Sequence, residues 1–296
     1  MNNYALEQAE ELFEQALEYF LGIEKEKNMI HAKELLQQSS ELGLSKSSNL
    51  LGDWYIKKII PGDNYKEAFK LYTRGCEFGD MRSFSRLAMC YEKGYGIKKD
   101  IPKALELYEK SVELGNKDAC FSIARIYEKG ENIKMDLSKA ILWYKRGYEK
   151  GDADCACNLA TCYYKGKGIE QNIEKAKEIF LAFSEYNTQN QRNLGVIFYK
   201  GTHSCKPNEE EAIYWFTKAA NNGDITSMLH LGKIYKNLDK EKIAEIAIEH
   251  YDLVKEYIDI VEKREACTFG ELMKRTLRYA WYDLSKEIVT LNKFVF

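Results

Sequence analysis

Apolar residues between positions 81 and 93 fall at Phe84, Leu87, Ala88 and Tyr91, the i, i+3, i+4, i+7 stripe of one helical face. Gly94 follows and can take the left-handed conformation that ends a helix. A short loop then reaches Asp100, whose carboxylate can accept hydrogen bonds from the free amides of a second helix. Pro102 sits in the first turn of that helix, where its missing N–H costs nothing. Ala104, Leu107, Tyr108 and Val112 form the second stripe, and Gly115 closes a helix–turn–helix unit.

The unit recurs with a period of 36 residues. Alanine stands at 32, 68, 104, 140, 176 and 212, and four residues before each comes Asn28, Asn64, Asp100, Asp136, Asn172 or Asn208 as an expected N-cap. Eleven residues after each alanine come Gly43, Gly79, Gly115 and Gly151, then Asn187, then Gly223. Asn187 is expected to take the left-handed backbone of the glycine it replaces. A small residue on each first helix (Gly52, Ala88, Ala124, Ala160, Gly195, Gly232) can lie against a ring on each second one (Tyr72, Tyr108, Tyr144, Phe180, Phe216). A fixed period of this length predicts stacked helical pairs, each contacting only its neighbours.

This pattern resembles the Sel-one-like repeats, relatives of the tetratricopeptide repeats. The resemblance rests on Gly94-Tyr95-Gly96-Ile97 with Asp100, on Lys103-Ala104 to Tyr108, and on Lys139-Ala140-Ile141-Leu142-Trp143-Tyr144. Gly166-Lys167-Gly168-Ile169 and Leu231-Gly232-Lys233-Ile234-Tyr235 extend it. It implies an all-α, right-handed α–α superhelical solenoid of about six 36-residue repeats. Residues 1–238 form the solenoid, and residues 239–296 a C-terminal partial repeat and capping helices. Irregular spacing around residues 185–207 is expected to bend it.

Charge and composition narrow the classes of function. Forty-four basic against 46 acidic side chains leave a net charge of −2, which gives no field to gather nucleic acid. The first residues lack a basic start and an apolar run, and no stretch reaches the roughly 18 apolar residues of a membrane span. A cytoplasmic location without membrane insertion is therefore expected. Eight cysteines without a repeating pair read as reduced, mostly buried thiols.

No residue set announces a reaction, and neither a catalytic group, a cofactor nor a metal is expected. Cys155, Cys157 and Cys162 lack the second pair of a structural zinc site, and His203-Ser204-Cys205 is similarly incomplete. The alternative from another class is a secreted, cysteine-rich branch of the same repeats, proposed to bind or hydrolyse β-lactams, with two cysteines eight residues apart in each unit. Here that spacing sets Cys76 against Phe84, Cys120 against Val112 and Cys157 against Glu149. A third reading is a self-assembling structural protein, homo-oligomerising through the C-terminal helix and Phe294-Val295-Phe296.

The leading expectation is a non-enzymatic adaptor that holds another protein or peptide in a concave groove, as a regulatory, effector or toxin-neutralising protein. By analogy with tetratricopeptide relatives, the groove is lined from the first helices by Asp53, Met89, Arg125, Thr161, Tyr164, Arg192, Tyr199, Lys233 and Lys236. The row begins acidic and turns aromatic and basic, so its second half is expected to take an acidic or aromatic segment.

Overall fold

The structure is a computed structural model and describes residues 3–237, except 24, 61–63, 186 and 203–205. Thirteen α-helices and no strand occur among the described residues. They run as pairs: α1 (Asn3–Leu21) with α2 (Met29–Glu41), α3 (Ser45–Ile56) with α4 (Asn64–Glu77), and α5 (Met81–Lys93) with α6 (Ile101–Glu113). Next come α7 (Asp118–Lys129) with α8 (Leu137–Glu149), α9 (Ala153–Lys165) with α10 (Ile173–Ala182), and α11 (Thr188–Lys200) with α12 (Glu209–Asn221). A final first helix, α13 (Ile225–Asn237), follows. The expected partial repeat and caps at 239–296 lie outside the described residues. The chain divides into two compact units, one of Met1–Cys162 with Gly166–Glu170, the other of Tyr163–Lys165 with Gln171–Phe296.

The predicted caps form. Asn28, Asp100, Asp136, Asn172 and Asn208 each accept a hydrogen bond from the backbone N–H three residues on, at 2.9–3.1 Å. Asn64 is already the first residue of α4. A second set of caps starts the other helices: Asp80, Asp152 and Asp224 accept from the amides of Ser83, Cys155 and Ser227. Asn187 overturns its expectation. Its φ is −147°, and it is the N-cap of α11, accepting from Gln189 and Asn190. The turn needs no left-handed residue there because α10 stops early. The carbonyls of Phe183 and Ser184 accept from the side chains of Asn190 and Gln191 instead.

Close approach of helices within a pair holds each repeat together. Tyr72, Tyr144, Phe180 and Phe216 are 0–1% exposed, and the alanines at 32, 68, 104, 140, 176 and 212 are equally buried. A Cβ added to Gly52 would lie 2.5 Å from Cε1 of Tyr72, and one added to Gly195 would lie 2.5 Å from Cδ1 of Phe216. Ala16 stands 36 residues before Gly52 and is 0% exposed, so α1 is the first helix of a full repeat. Junctions between pairs are closed by small residues eight apart: Ser39 and Ser47 share a hydroxyl hydrogen bond of 2.6 Å, and Gly75 abuts Ser83.

The loops after the first helices turn through a left-handed residue. Gly22, Gly94, Gly130 and Gly166 occupy that position with φ of 66–79°, but Lys58 fills it in the second repeat at φ 56°. A Cβ in this conformation costs about 1–2 kcal/mol, partly offset by the greater entropy glycine loses on folding. Lys58 is exposed. The expected outcome of Lys58→Gly is stabilisation by about 0.5–1 kcal/mol, read as a higher urea midpoint at unchanged slope.

Candidate partner-binding face

In the first unit, the outward ends of the buried tyrosines set the chemistry of the first-helix face. A phenol deep in the core must give its O–H to an acceptor, because an orphaned buried donor costs about 1–3 kcal/mol. Asp53 on α3 accepts from the Tyr72 hydroxyl at 2.7 Å, and Glu92 on α5 accepts from Tyr108 at 2.9 Å. Glu128 on α7 accepts from Tyr144 at 2.7 Å. Asp53 lies one helical turn earlier in the repeat than Glu92 and Glu128, yet it reaches the same phenol position.

Each acid is also matched by a cation from the following repeat. Arg86 Nε and Nη2 grip Asp53 in a two-pronged bond at 2.8 and 2.7 Å. Arg125 approaches Glu92 at 3.7 Å while lying over the Phe121 ring, and Lys93 also binds Glu92. Lys167 binds Glu128 at 2.7 Å. Burial opposes ionisation of Asp53, but the hydrogen bonds from Arg86 and Tyr72 outweigh it and hold its carboxyl below 3.8. Glu128 is held below 4.5 in the same way, its burial outweighed by Lys167 and Tyr144. Asp53 and Arg125 are thus joints of the repeat stack as well as face residues. Met89 is half-buried, and Thr161 bonds the Cys157 carbonyl of its own helix at 2.8 Å.

The second unit reverses the arrangement. Phe180 and Phe216 fill the ring position without a hydroxyl, and Tyr164 and Tyr199 stand where Glu128 and Glu92 stood. Both tyrosines are half-buried, and the Tyr199 ring packs against the core cluster of Ala212, Phe216 and Leu231. Arg192 donates to Asp224, the residue that starts α13, at 2.6 Å. Asn49 does the same for Asp80 in the first unit, at 2.8 Å. Arg192 therefore ties one repeat to the next, a role that residue type alone concealed. Lys233 and Lys236 lie on α13, with side chains outside the described residues.

The cysteines sit in packed surroundings. None of the six in the described residues is in a disulfide. Burial pushes the Cys76 and Cys90 thiols up to about 12. Cys155 lies eight residues after Gly147 and against it, the spacing of the cysteine-rich branch with glycine where a second sulfur would stand. His203 and Cys205 are outside the described residues. A cleft lined by Glu92, Lys99, Arg125 and Glu131 has about 20 Å³ of free volume, which is room for one water and far below the roughly 300 Å³ of a small-molecule site. A wider hollow of about 540 Å³ at the α1–α2 turn is lined by Tyr19 and Lys25 to Asn28.

Two outcomes are expected from the Asp53 joint. Asp53→Ala strands the buried Tyr72 hydroxyl and lowers stability by about 2–3 kcal/mol, whereas Tyr72→Phe costs about 1 kcal/mol or less. In the double variant the cost falls below the sum, as a denaturation cycle will show. For pH, Asp53, Asp80 and Glu128 release their protons more readily folded than unfolded. Their contribution is present in full above about pH 5 and is lost as pH falls through the folded values, so urea midpoints hold from pH 7 to about 5 and drop below about 4.

Comparison with known proteins agrees with this architecture. The chain resembles a Sel1 repeat protein from Oxalobacter formigenes, at 26% identity and a TM-score of 0.63, over 74% of this chain and 88% of that one. A protective antigen of uropathogenic Escherichia coli with an SLR fold shares 23% identity at a TM-score of 0.56, over 83% of this chain and 60% of that one. An immunity protein from Pseudomonas aeruginosa shares 17% identity at a TM-score of 0.48, over 72% and 81% of the two chains. No curated protein matches the sequence. The Sel1 repeat itself matches residues 11–44, 48–80, 85–116, 117–152, 153–184 and 191–224, which together make up more than half of the sequence, and the chain belongs to the Sel1 repeat family, an all-α repeat solenoid.

Proposed function

We propose that this protein is a non-enzymatic adaptor that binds another protein or peptide through the first-helix face of its second unit. One observation carries the reading: at one register of the repeat, the face changes from satisfied to open. In the first unit Glu92 and Glu128 at this register are taken by buried phenols and neighbouring cations. In the second unit Tyr164 and Tyr199 present half-exposed rings there, and no hydrogen bond engages either hydroxyl among the described residues. Tyrosine is enriched at binding hot spots because it offers a large rigid apolar face with one polar tip. Sel1 repeats generally mediate protein–protein contacts, which supports the same role.

A reducing, cytoplasmic setting fits the described cysteines, which are held as buried or half-buried thiols. Among the described residues no helix is long and apolar enough to cross a membrane. The role of Asp53, Met89, Arg125 and Thr161 in this reading is to build and space the face. Tyr164 and Tyr199 make the contact.

Site-specific photocrosslinking in cells of the source organism tests the assignment. A benzophenone amino acid at Tyr164 or Tyr199 is expected to trap a discrete protein adduct. The same probe at Leu142, which is 64% exposed on a second helix, serves as the contrasting position. Adducts only from Leu142 would move the binding surface to the second helices.

A further inference from the structure

We infer that the segment held by this face is acidic, with carboxylates that meet the Tyr164 and Tyr199 hydroxyls and the lysines beside them. This inference rests on the adaptor reading and adds the chemistry of the partner. Its first support is a difference in charge between equivalent helices. Among the first helices of the first unit, α3 carries Asp53, α5 carries Glu92, and α7 carries Asp118 and Glu128. In the second unit α11 and α13 contain no aspartate or glutamate, but they do contain Arg192, Lys200, Lys233 and Lys236.

The second support is how these charges are used. In the first unit Arg86, Lys93, Arg125 and Lys167 are each matched to a carboxylate of the same unit. In the second, Arg192 is matched to Asp224, while Lys165 and Lys200, which follow the two tyrosines in sequence, are exposed with no ion pair among the described residues. The face therefore offers two O–H groups and at least two ammonium groups, and the α11 and α13 side chains include no carboxylate, their acceptors being amides, hydroxyls and an imidazole. A carboxylate, which is acceptor only, can take both O–H groups and is attracted by both ammonium groups, whereas a lysine or arginine, even donating to the phenol oxygens, would meet like charge.

The third support is geometric. In the first unit the same register holds a carboxylate against a phenol and a cation at once, as Glu128 does with Tyr144 and Lys167 at 2.7 Å each. In the second unit phenylalanine takes the ring position on the second helix, and a tyrosine takes the acid's place on the first. A partner's glutamate or aspartate would restore the missing member.

The test uses the full chain and two labelled peptides, octaglutamate and octaglutamine, with binding followed by fluorescence anisotropy at low salt. Octaglutamate is expected to bind at least about tenfold more tightly than octaglutamine, with affinity falling as salt rises. Tyr164→Phe with Tyr199→Phe removes only the hydroxyls, and is expected to weaken octaglutamate by about five- to tenfold at an unchanged melting temperature. Lys200→Glu should weaken it further. Equal affinity for the two peptides, lost together in the phenylalanine variant, would overturn the acidic preference but leave the adaptor face standing. Octaglutamate binding that ignores the tyrosine hydroxyls, or no binding at all, would overturn the inference. Adducts from Tyr164 or Tyr199 would then decide the adaptor reading separately.

Discussion

The structure depends on the close approach of the two helices in each repeat, set by a small residue lying against a buried ring. Gly52 beneath Tyr72 and Gly195 beneath Phe216 leave no room for a methyl group without movement. This contact fixes more than the distance between axes. A ring buried to this depth points its far edge at the first-helix face, so the choice between tyrosine and phenylalanine in the core decides whether that face must supply an acceptor. Core packing and surface chemistry are therefore coupled at one position per repeat.

The coupling runs outward in steps. A buried phenol requires an acid, and an acid held partly out of water is sustained by a cation. In this chain the cation comes from the next repeat: Arg86 for Asp53, Arg125 for Glu92, Lys167 for Glu128. The interactions that satisfy one core thus also join adjacent repeats. Exposed ion pairs are usually worth little. These differ because the carboxylate is already committed to a buried hydroxyl, and in the Asp53 case the guanidinium approaches with both prongs. Phenylalanine at 180 and 216 removes the first requirement, which frees the corresponding first-helix positions for residues that the stack itself does not need.

Most of the fold was legible in the sequence because its determinants are local and periodic. The alanines, the caps at 28, 100, 136, 172 and 208, and the ring positions report short-range contacts that recur unchanged. Where reading by position failed, a neighbouring edit had changed the local geometry. Asn187 keeps the register of a closing glycine, but α10 ends early, so the residue serves the helix that follows. Ala16 went unread because the first repeat begins without the loop pattern that marks the others. The candidate face was legible only in part. Tyr164, Arg192 and Tyr199 were named from their register, whereas the cation or acid partners of Asp53, Arg125 and Arg192 lie 32 or 33 residues away and follow no contiguous motif.

Arg192 shows why geometry must weigh against residue type. Arginine at a groove position suggests a contact for a partner, since arginine is common at hot spots. Yet its guanidinium holds the aspartate that caps the next first helix, as the Asn49 amide does in the other unit. Truncating it would loosen α13 and change the face indirectly, so lost binding in such a variant could not be assigned to a lost contact. The tyrosine hydroxyls do not carry this ambiguity. The Tyr199 ring makes its contact with the core cluster through carbon, whether or not the oxygen is present. An atom that the fold does not use, at a position where the preceding repeats use theirs fully, is the point at which recognition can be separated from stability.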